Sequence, residues 1–145
     1  MKINTFNELS TDDVIDECKF VLSDFIDDDS GEISIKNHIM IFNRKDSGST
    51  ENITSLLKGL GKIEVINIYF QKYSSERLIN LINHLDYLNL FLEDNGYFIT
   101  SIMGDYKDYD DNFNWNNVNL LEELKKSLKN KKILNPNLWY EKKTI

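Results

Sequence analysis

Residues 63–70 have the sequence Ile-Glu-Val-Ile-Asn-Ile-Tyr-Phe. On a β-strand, Ile66 and Ile68 face one side of the sheet, and Val65 faces the other. Apolar side chains on both sides are typical of a strand that is covered on both faces. We therefore predict that 63–70 is a central, doubly covered strand of a sheet.

Helices and strands alternate on either side of this strand. The apolar spacing predicts helices over 10–26, 51–58, 74–95 and 118–131, and a strand over 97–103. Residues 33–41 are predicted to form either one long strand or a pair of strands around Asn37. Residues 135–137 are predicted to form a turn before a short tail, 138–140. From residue 39 onward the order is β-α-β-α-β-α, which is typical of parallel neighbours covered by helices. We predict one α/β domain spanning 1–145, with a central mixed sheet of about four strands covered by helices and an extra N-terminal helix.

Length and composition exclude several classes of protein. The chain has 145 residues, of which 41% are hydrophobic, as expected for a single folded domain. A single cysteine, Cys18, excludes an internal disulfide framework and a multi-cysteine zinc site, and two histidines exclude a His-rich metal centre. The first residues lack the apolar core of a signal peptide, and no apolar run is long enough for a membrane span. We expect a cytoplasmic protein without cofactor or metal.

The negative charge is concentrated in two segments. The net charge of −7 combines −8 over 1–32, −5 over 105–123 and +6 over the last 22 residues. This balance argues against a nucleic-acid binder, whose affinity comes from neutralising phosphates. It favours a surface that meets a basic partner.

The residue usage indicates an AT-rich gene. The chain has no alanine, one proline and two arginines, against eighteen asparagines, seventeen isoleucines and fifteen lysines. Alanine, proline and most arginine codons are GC-rich, so this bias indicates a low-GC bacterium, a phage or a mobile island. Individual asparagines and lysines therefore carry little functional information.

The first helix carries an unusual polar face. Projected at 100° per residue, Phe20 points away from the apolar stripe that contains Val14, Cys18 and Phe25. An aromatic anchor inside a ring of carboxylates is typical of a contact surface for a basic partner. The alternative is that another element of the chain covers Phe20. The acidic residues on or beside the face of Phe20 are Asp13, Asp16, Glu17, Asp24 and Asp27.

A second acidic segment repeats this combination. Residues 105–117 are predicted to form an irregular loop in which aromatic and acidic residues alternate. We take its side chains as further candidates for partner binding. They are Asp105, Tyr106, Asp108, Tyr109, Asp110, Asp111, Phe113 and Trp115.

Three other motifs have simpler explanations. Gly59 and Gly61 precede Lys62, but they follow a predicted helix and precede a strand, which is the reverse of a phosphate-binding loop. Oxygen-bearing side chains alternate over 108–116 as in calcium loops, but the turn glycine and the final glutamate are missing. His84 lies beside the apolar face of its helix and is predicted to be a boundary residue. No residue is predicted to be catalytic.

The stretch 63–78 resembles the strand-serine-helix element of STAS domains, most closely those of the SiaC type. Ser74 and Ser75 stand where such domains open the helix with serine or threonine, and 29–35 and the acidic segment after Met103 are also similar. The resemblance covers residues 29–111 and implies a signalling module in which one of these serines is phosphorylated. The aspartate usual before the serine is absent, since Tyr73 and Ser74 occupy that place. Both serines also suit a helix N-cap.

Two functions are consistent with the sequence. The first is a non-enzymatic inhibitor of the immunity or antitoxin type, which binds a basic toxin such as a nuclease and covers its active cleft. A small AT-rich chain with two acidic-aromatic segments favours it. The second is the STAS-like module switched by phosphorylation of Ser74 or Ser75. Neither involves nucleic acid or a membrane.

Overall fold

A computed structural model describes residues 9–43, 60–117 and 119–143. They form an α/β domain with one five-stranded sheet in the order β1-β2-β5-β3-β4. The strands are β1 (Glu32–Asn43), β2 (Leu60–Gln71), β3 (Tyr97–Tyr106), β4 (Asn112–Trp115) and β5 (Ile133–Lys142). The helices are α1 (Thr11–Val21), α2 (Ser23–Ile26), α3 (Ser75–Leu78), α4 (Ile82–Asp94) and α5 (Leu120–Lys129), with a 3₁₀ turn at Ile79–Leu81.

The predicted fold class is confirmed, with two corrections to the sheet. It has five strands, and every neighbouring pair is antiparallel, so the expected mixed sheet is wrong in this respect. β2 and β3 run in the same direction, as a helical crossover between them requires. They are not neighbours, because β5 lies between them and pairs antiparallel with both.

β5 replaces the predicted turn and tail. Its apolar residues alternate, so that Leu138 and Tyr140 are buried under the helices. Pro136 fits a central strand because the pairing with β3 is irregular there, shifting between Asp105↔Leu134 and Met103↔Asn137. Asn135, just before it, has a positive φ of 53°. The bulge therefore removes the proline from the hydrogen-bonded ladder.

The core lies between the sheet and the helices. Helix α1 contributes Val14 and Cys18, α4 contributes Leu85, Leu88 and Leu92, and all five side chains are fully buried. The apolar stripes predicted for both helices are thus confirmed. The predicted first helix is interrupted at Leu22, which separates α1 from α2.

The remaining predicted elements are largely found, with shifted ends. The strand predicted over 33–41 is β1, and the helix predicted over 118–131 is α5. The helix predicted from Ser74 begins there, since the Ser74 hydroxyl accepts a hydrogen bond from the Arg77 amide at 3.0 Å. The helix predicted over 51–58 and the glycine at 59 lie outside the described residues.

Candidate functional site

Helix α1 presents its acidic face to solvent. Ser10 caps the helix by accepting a hydrogen bond from the Asp13 amide at 3.2 Å. With Val14 and Cys18 packed on the core side, Phe20 points outward and is 74% exposed. As the helical projection predicts, no described element of the chain covers it. The carboxylates of Asp13, Asp16, Asp24 and Asp27 are exposed as well, and Glu17 is half-buried.

Helix α4 runs antiparallel to α1 and extends this surface. The Tyr87 hydroxyl donates a hydrogen bond to Glu17 Oε2 at 3.2 Å, and His84 Nε2 lies 3.4 Å from Asp24 Oδ2. Tyr87 and Leu90, one turn apart on α4, are both exposed. We call the combined patch the acidic helical surface. It consists of Asp13, Asp16, Glu17, Phe20, Asp24, Asp27, Tyr87 and Leu90.

Tyr87 and Leu90 were missed in the sequence analysis. Both lie off the apolar stripe of their helix, so the signal that singles out Phe20 applies to them too. The hydrogen bond to Glu17, together with its negative charge, raises the pKa of the Tyr87 hydroxyl above its usual value. Tyr87 therefore stays neutral at physiological pH and presents an apolar ring beside a carboxylate.

Arg77 anchors the part of this surface that α2 contributes. Its Nε donates a hydrogen bond to Asp28 Oδ2, and its Nη2 donates to the Asp24 carbonyl at 2.9 Å. The guanidinium carbon lies 4.1 Å from the centre of the Phe25 ring, within the range of a cation–π contact. Tyr73 also donates to the Phe25 carbonyl at 2.6 Å. These contacts fix the backbone that positions Asp24 and Asp27.

The Asp28 carboxylate gives this anchor a dependence on pH. Hydrogen bonds from the Ser30 amide and from Arg77 lower its pKa from 3.8 to about 2. A carboxylate with a depressed pKa in the folded state stabilises the fold above its unfolded pKa. This contribution is lost as the pH falls through about 2.

We expect Asp28→Asn to destabilise the protein at neutral pH and to have a much smaller effect near pH 2, where the wild-type carboxylate is itself about half protonated. Urea unfolding at the two pH values measures the difference between the variant and the wild type. Asp29→Asn, an exposed neighbour that makes no ion pair in the described structure, is the control. An equal loss of stability at both pH values would contradict the role of the charge.

The predicted acidic loop is mainly a β-hairpin. β3 continues to Tyr106, β4 occupies Asn112–Trp115, and the register runs from Ile102↔Trp115 to Asp105↔Asn112. The prediction of irregular structure is therefore wrong for 105–106 and 112–115. It failed because alternating aromatic residues, which suggested a contact loop, also describe one face of a strand.

Three of the four aromatic side chains of the hairpin pack in or against the core. Phe113 is only 6% exposed, and its ring stacks on Trp115 with 4.2 Å between the ring centres. The ring centre of Tyr106 lies 5.3 Å from that of Phe113, and Tyr106 is half-buried against the core. Phe113 is thus a core residue and not a surface residue. Of the four aromatic candidates, Tyr109 alone projects freely, at 71% exposure.

The acidic candidates of the hairpin also divide into two groups. Asp108, Asp110 and Asp111 are exposed in the turn around Tyr109. Asp105 is half-buried and accepts a hydrogen bond from Asn135 Nδ2 at 2.8 Å, which ties β3 to the bulge of β5. The exposed acidic residues of this segment therefore lie in the turn 107–111.

The α1–α2 part of the acidic helical surface and the hairpin turn lie towards opposite edges of the sheet. Both α1 and α2 pack against β1, whereas the turn joins β3 to β4 at the other edge. The α4 part of the surface lies between them, since α4 packs against β3. A single partner that contacts α1 and the turn would have to reach across the sheet.

Ser74 and Ser75 differ in accessibility. Ser74 is exposed at the start of α3, where its hydroxyl caps the helix. Ser75 is 2% exposed, and its hydroxyl accepts a hydrogen bond from Lys107 Nζ at 2.9 Å. Of the two serines, Ser74 is thus the one that a kinase can reach in the folded protein.

The polar cluster around Glu64 serves to join elements. Glu64 Oε2 accepts hydrogen bonds from Thr11 Oγ1 at 2.8 Å, Tyr97 OH at 3.0 Å and Asn37 Nδ2 at 3.2 Å. Burial raises the pKa of this carboxyl group, but the hydrogen bonds lower it more, so that it lies below its usual range. Such a group is poorly suited to acid–base catalysis near neutral pH. It connects α1 to three strands instead.

Cys18 is equally unsuited to chemistry. It is fully buried, and desolvation raises the pKa of its thiol to about 12. Since the thiolate is the reactive form, this cysteine is a packing residue, as its position on the apolar stripe predicts. His84 also lies where the sequence predicts, half-buried beside Phe25.

Other observations bear on the type of site. Within 9–43, 60–117 and 119–143, no three His, Cys, Asp or Glu side chains are grouped so as to hold a metal ion. None of the helices in these ranges is long and apolar enough to cross a membrane. The chain matches no protein-family model, no curated protein and no solved structure.

Proposed function

We propose that this protein is a non-enzymatic, acidic protein-binding domain of the immunity or antitoxin type, which acts in the cytoplasm. It would bind a basic toxin, such as a nuclease, and cover its active cleft. The observation that carries the proposal is the exposed Phe20 ring among carboxylates on α1. An exposed aromatic anchor inside a ring of carboxylates is typical of a contact surface for a basic partner.

The acidic helical surface has the two parts that such an interface requires. Its carboxylates would attract a basic partner over several ångströms and raise the association rate. Its apolar side chains, Phe20, Tyr87 and Leu90, would be buried on contact and slow dissociation. The Arg77 anchor holds the α2 end of this surface in place, so little ordering is needed on binding.

The hairpin turn supplies a second, smaller contact in this proposal. Tyr109 stands among Asp108, Asp110 and Asp111, which repeats the combination of ring and carboxylates. A toxin domain is wide enough to reach from the helices to the turn. Tyr106, Phe113 and Trp115 are then supports for the hairpin, and Tyr109 is its contact residue.

The first experiment is to identify a partner. The gene next to this one should encode a basic toxin domain, and the two proteins should co-purify as a stable complex. A neighbourhood without such a gene, together with the absence of a basic protein from the purified material, would overturn the proposal.

Once a partner is identified, the contribution of the carboxylates to binding can be measured separately from that of the apolar side chains. We expect Asp16→Asn and Asp24→Asn each to slow association by about threefold, with a weaker dependence on salt, and to change dissociation little. Stopped-flow or surface-based kinetics at several salt concentrations measures both rates. Glu123→Gln, an exposed carboxylate on α5 outside the acidic helical surface, should behave as the wild type. Unchanged association rates for both aspartate variants would exclude electrostatic steering by α1.

The second candidate is the STAS-like module, and the exposure of Ser74 favours it. The Arg77 amide already donates a hydrogen bond to the Ser74 hydroxyl, so a phosphate on Ser74 would lie close to this amide. Intact-mass measurement of the protein from its native host would show one added phosphate, which Ser74→Ala would abolish. An unmodified protein under all growth conditions would contradict this candidate.

A further inference from the structure

The far half of β1 extends beyond the rest of the sheet. The pairing of β2 with β5 ends at Val65↔Glu141, but the pairing of β1 with β2 continues to Asn43↔Leu60. Residues 40–43 and 60–63 therefore form a two-stranded arm without a third strand in the part of the chain that is described. Two-stranded ribbons are marginally stable in water by themselves.

Before this arm, β1 lies at an edge of the described sheet and carries exposed apolar side chains. Every side chain from Lys36 to Met40 is exposed, including Ile39 at 58% and Met40 at 50%. On its outer side β1 has no neighbouring strand among the described residues, so its backbone can pair with another strand. Lys36 is a charge of the kind that blocks such pairing, but 37–43 contains no Asp, Glu, Lys or Arg. The stretch of this edge that no charged side chain protects is therefore 37–43.

The sequence of this segment is nearly palindromic. Residues 37–43 are Asn-His-Ile-Met-Ile-Phe-Asn. The reversed sequence is the same except that the two aromatic residues, His38 and Phe42, change places. Two copies paired antiparallel about a twofold axis at Met40 would place Ile39 opposite Ile41 and His38 opposite Phe42. Pairs of β-branched and of aromatic residues are those that stabilise antiparallel strands.

We propose that this protein forms a dimer in which 37–43 of β1 pair with the same residues of a second copy. The two sheets then join into one continuous antiparallel sheet with a twofold axis at Met40, the commonest symmetry of soluble dimers. Each chain carries a net charge of −7, and 37–43 adds nothing to it, so the two copies meet at an uncharged segment. This dimer does not depend on the function proposed above.

Light scattering on the eluting full-length protein tests the dimer. We expect twice the 17.0 kDa mass of one chain. Met40→Lys places two ammonium groups at the axis and should weaken the dimer at least about tenfold. Met103→Lys replaces an exposed methionine of β3 and should leave the dimer intact. A monomeric wild type at roughly 100 µM, or a Met40→Lys variant that is still fully dimeric, would overturn the proposal.

A cross-link gives a second measurement that does not depend on the lysine variant folding. A residue on the twofold axis faces its own copy at a distance that a disulfide can bridge. Met40→Cys should therefore form a covalent dimer under mild oxidation, whereas wild type should not, because Cys18 is buried. If Met40→Cys remains uncrosslinked while it is dimeric by mass, the axis lies elsewhere and the proposed pairing is wrong.

Discussion

Replacing Phe113 with alanine is expected to lower the free energy of unfolding by about 3–5 kcal/mol, the usual cost of truncating a buried phenylalanine. The ring fills the space between the hairpin and the core, with Trp115 stacked on it. It also lies over Gly104, where a Cβ atom would come within 2.6 Å of Phe113 Cζ. Because Gly104 offers no side chain, truncating the ring leaves a cavity that its neighbour cannot fill.

Chemical unfolding of both proteins measures this loss, and the melting temperature should fall by about 10 °C. Tyr109→Ala is the matched control, since it truncates an exposed aromatic residue of the same hairpin. It should change stability by no more than about 0.5 kcal/mol. Equal and small effects for the two variants would show that Phe113 is a surface residue, as the sequence analysis supposed.

The largest expected effect on binding is that of Phe20→Ala. Truncating a central aromatic anchor typically costs about 2 kcal/mol or more, so the proposed basic partner should bind at least about thirtyfold more weakly. Calorimetric titration of the purified complex measures the affinity. Stability should change little, because three-quarters of the side chain is already in solvent.

The melting temperature of the isolated Phe20→Ala variant must also be measured, to separate a loss of binding from a loss of stability. A drop in the melting temperature comparable to that of Phe113→Ala would mean that Phe20 is packed in the fold, and the proposed contact on α1 would be wrong. Lys19→Ala, at the adjacent exposed position, is the control for both measurements. Tyr87→Ala and Leu90→Ala should each weaken binding as well, if α4 belongs to the same interface.

Local patterns in the sequence were sufficient for the helices. The position of Phe20 depends on the 100° turn per residue and on the apolar stripe, and both lie within one helix. The same holds for Cys18 and for the cap at Ser74. These predictions agree with the structure because nothing distant along the chain has to be known.

Features set by contacts between distant residues could not be predicted in this way. The place of β5 depends on the strands beside it, and the short run around Pro136 resembled a turn followed by a tail. Phe113 and Tyr109 belong to one alternating segment, and only the register with β3 shows which of them is buried. The exposure of Tyr87 could have been predicted from the apolar stripe of its helix, but its place beside the face of Phe20 depends on Glu17, which lies seventy residues earlier in the chain.

The central position of β5 also affects how the chain is made. A ribosome releases β1, β2 and β3 before β5, yet β5 must lie between β2 and β3. Until residues 133–142 emerge, the gap between those two strands is open, and their edges can pair with other nascent chains. We therefore expect slow folding, dominated by contacts between distant residues, and a growing chain that benefits from chaperones during synthesis.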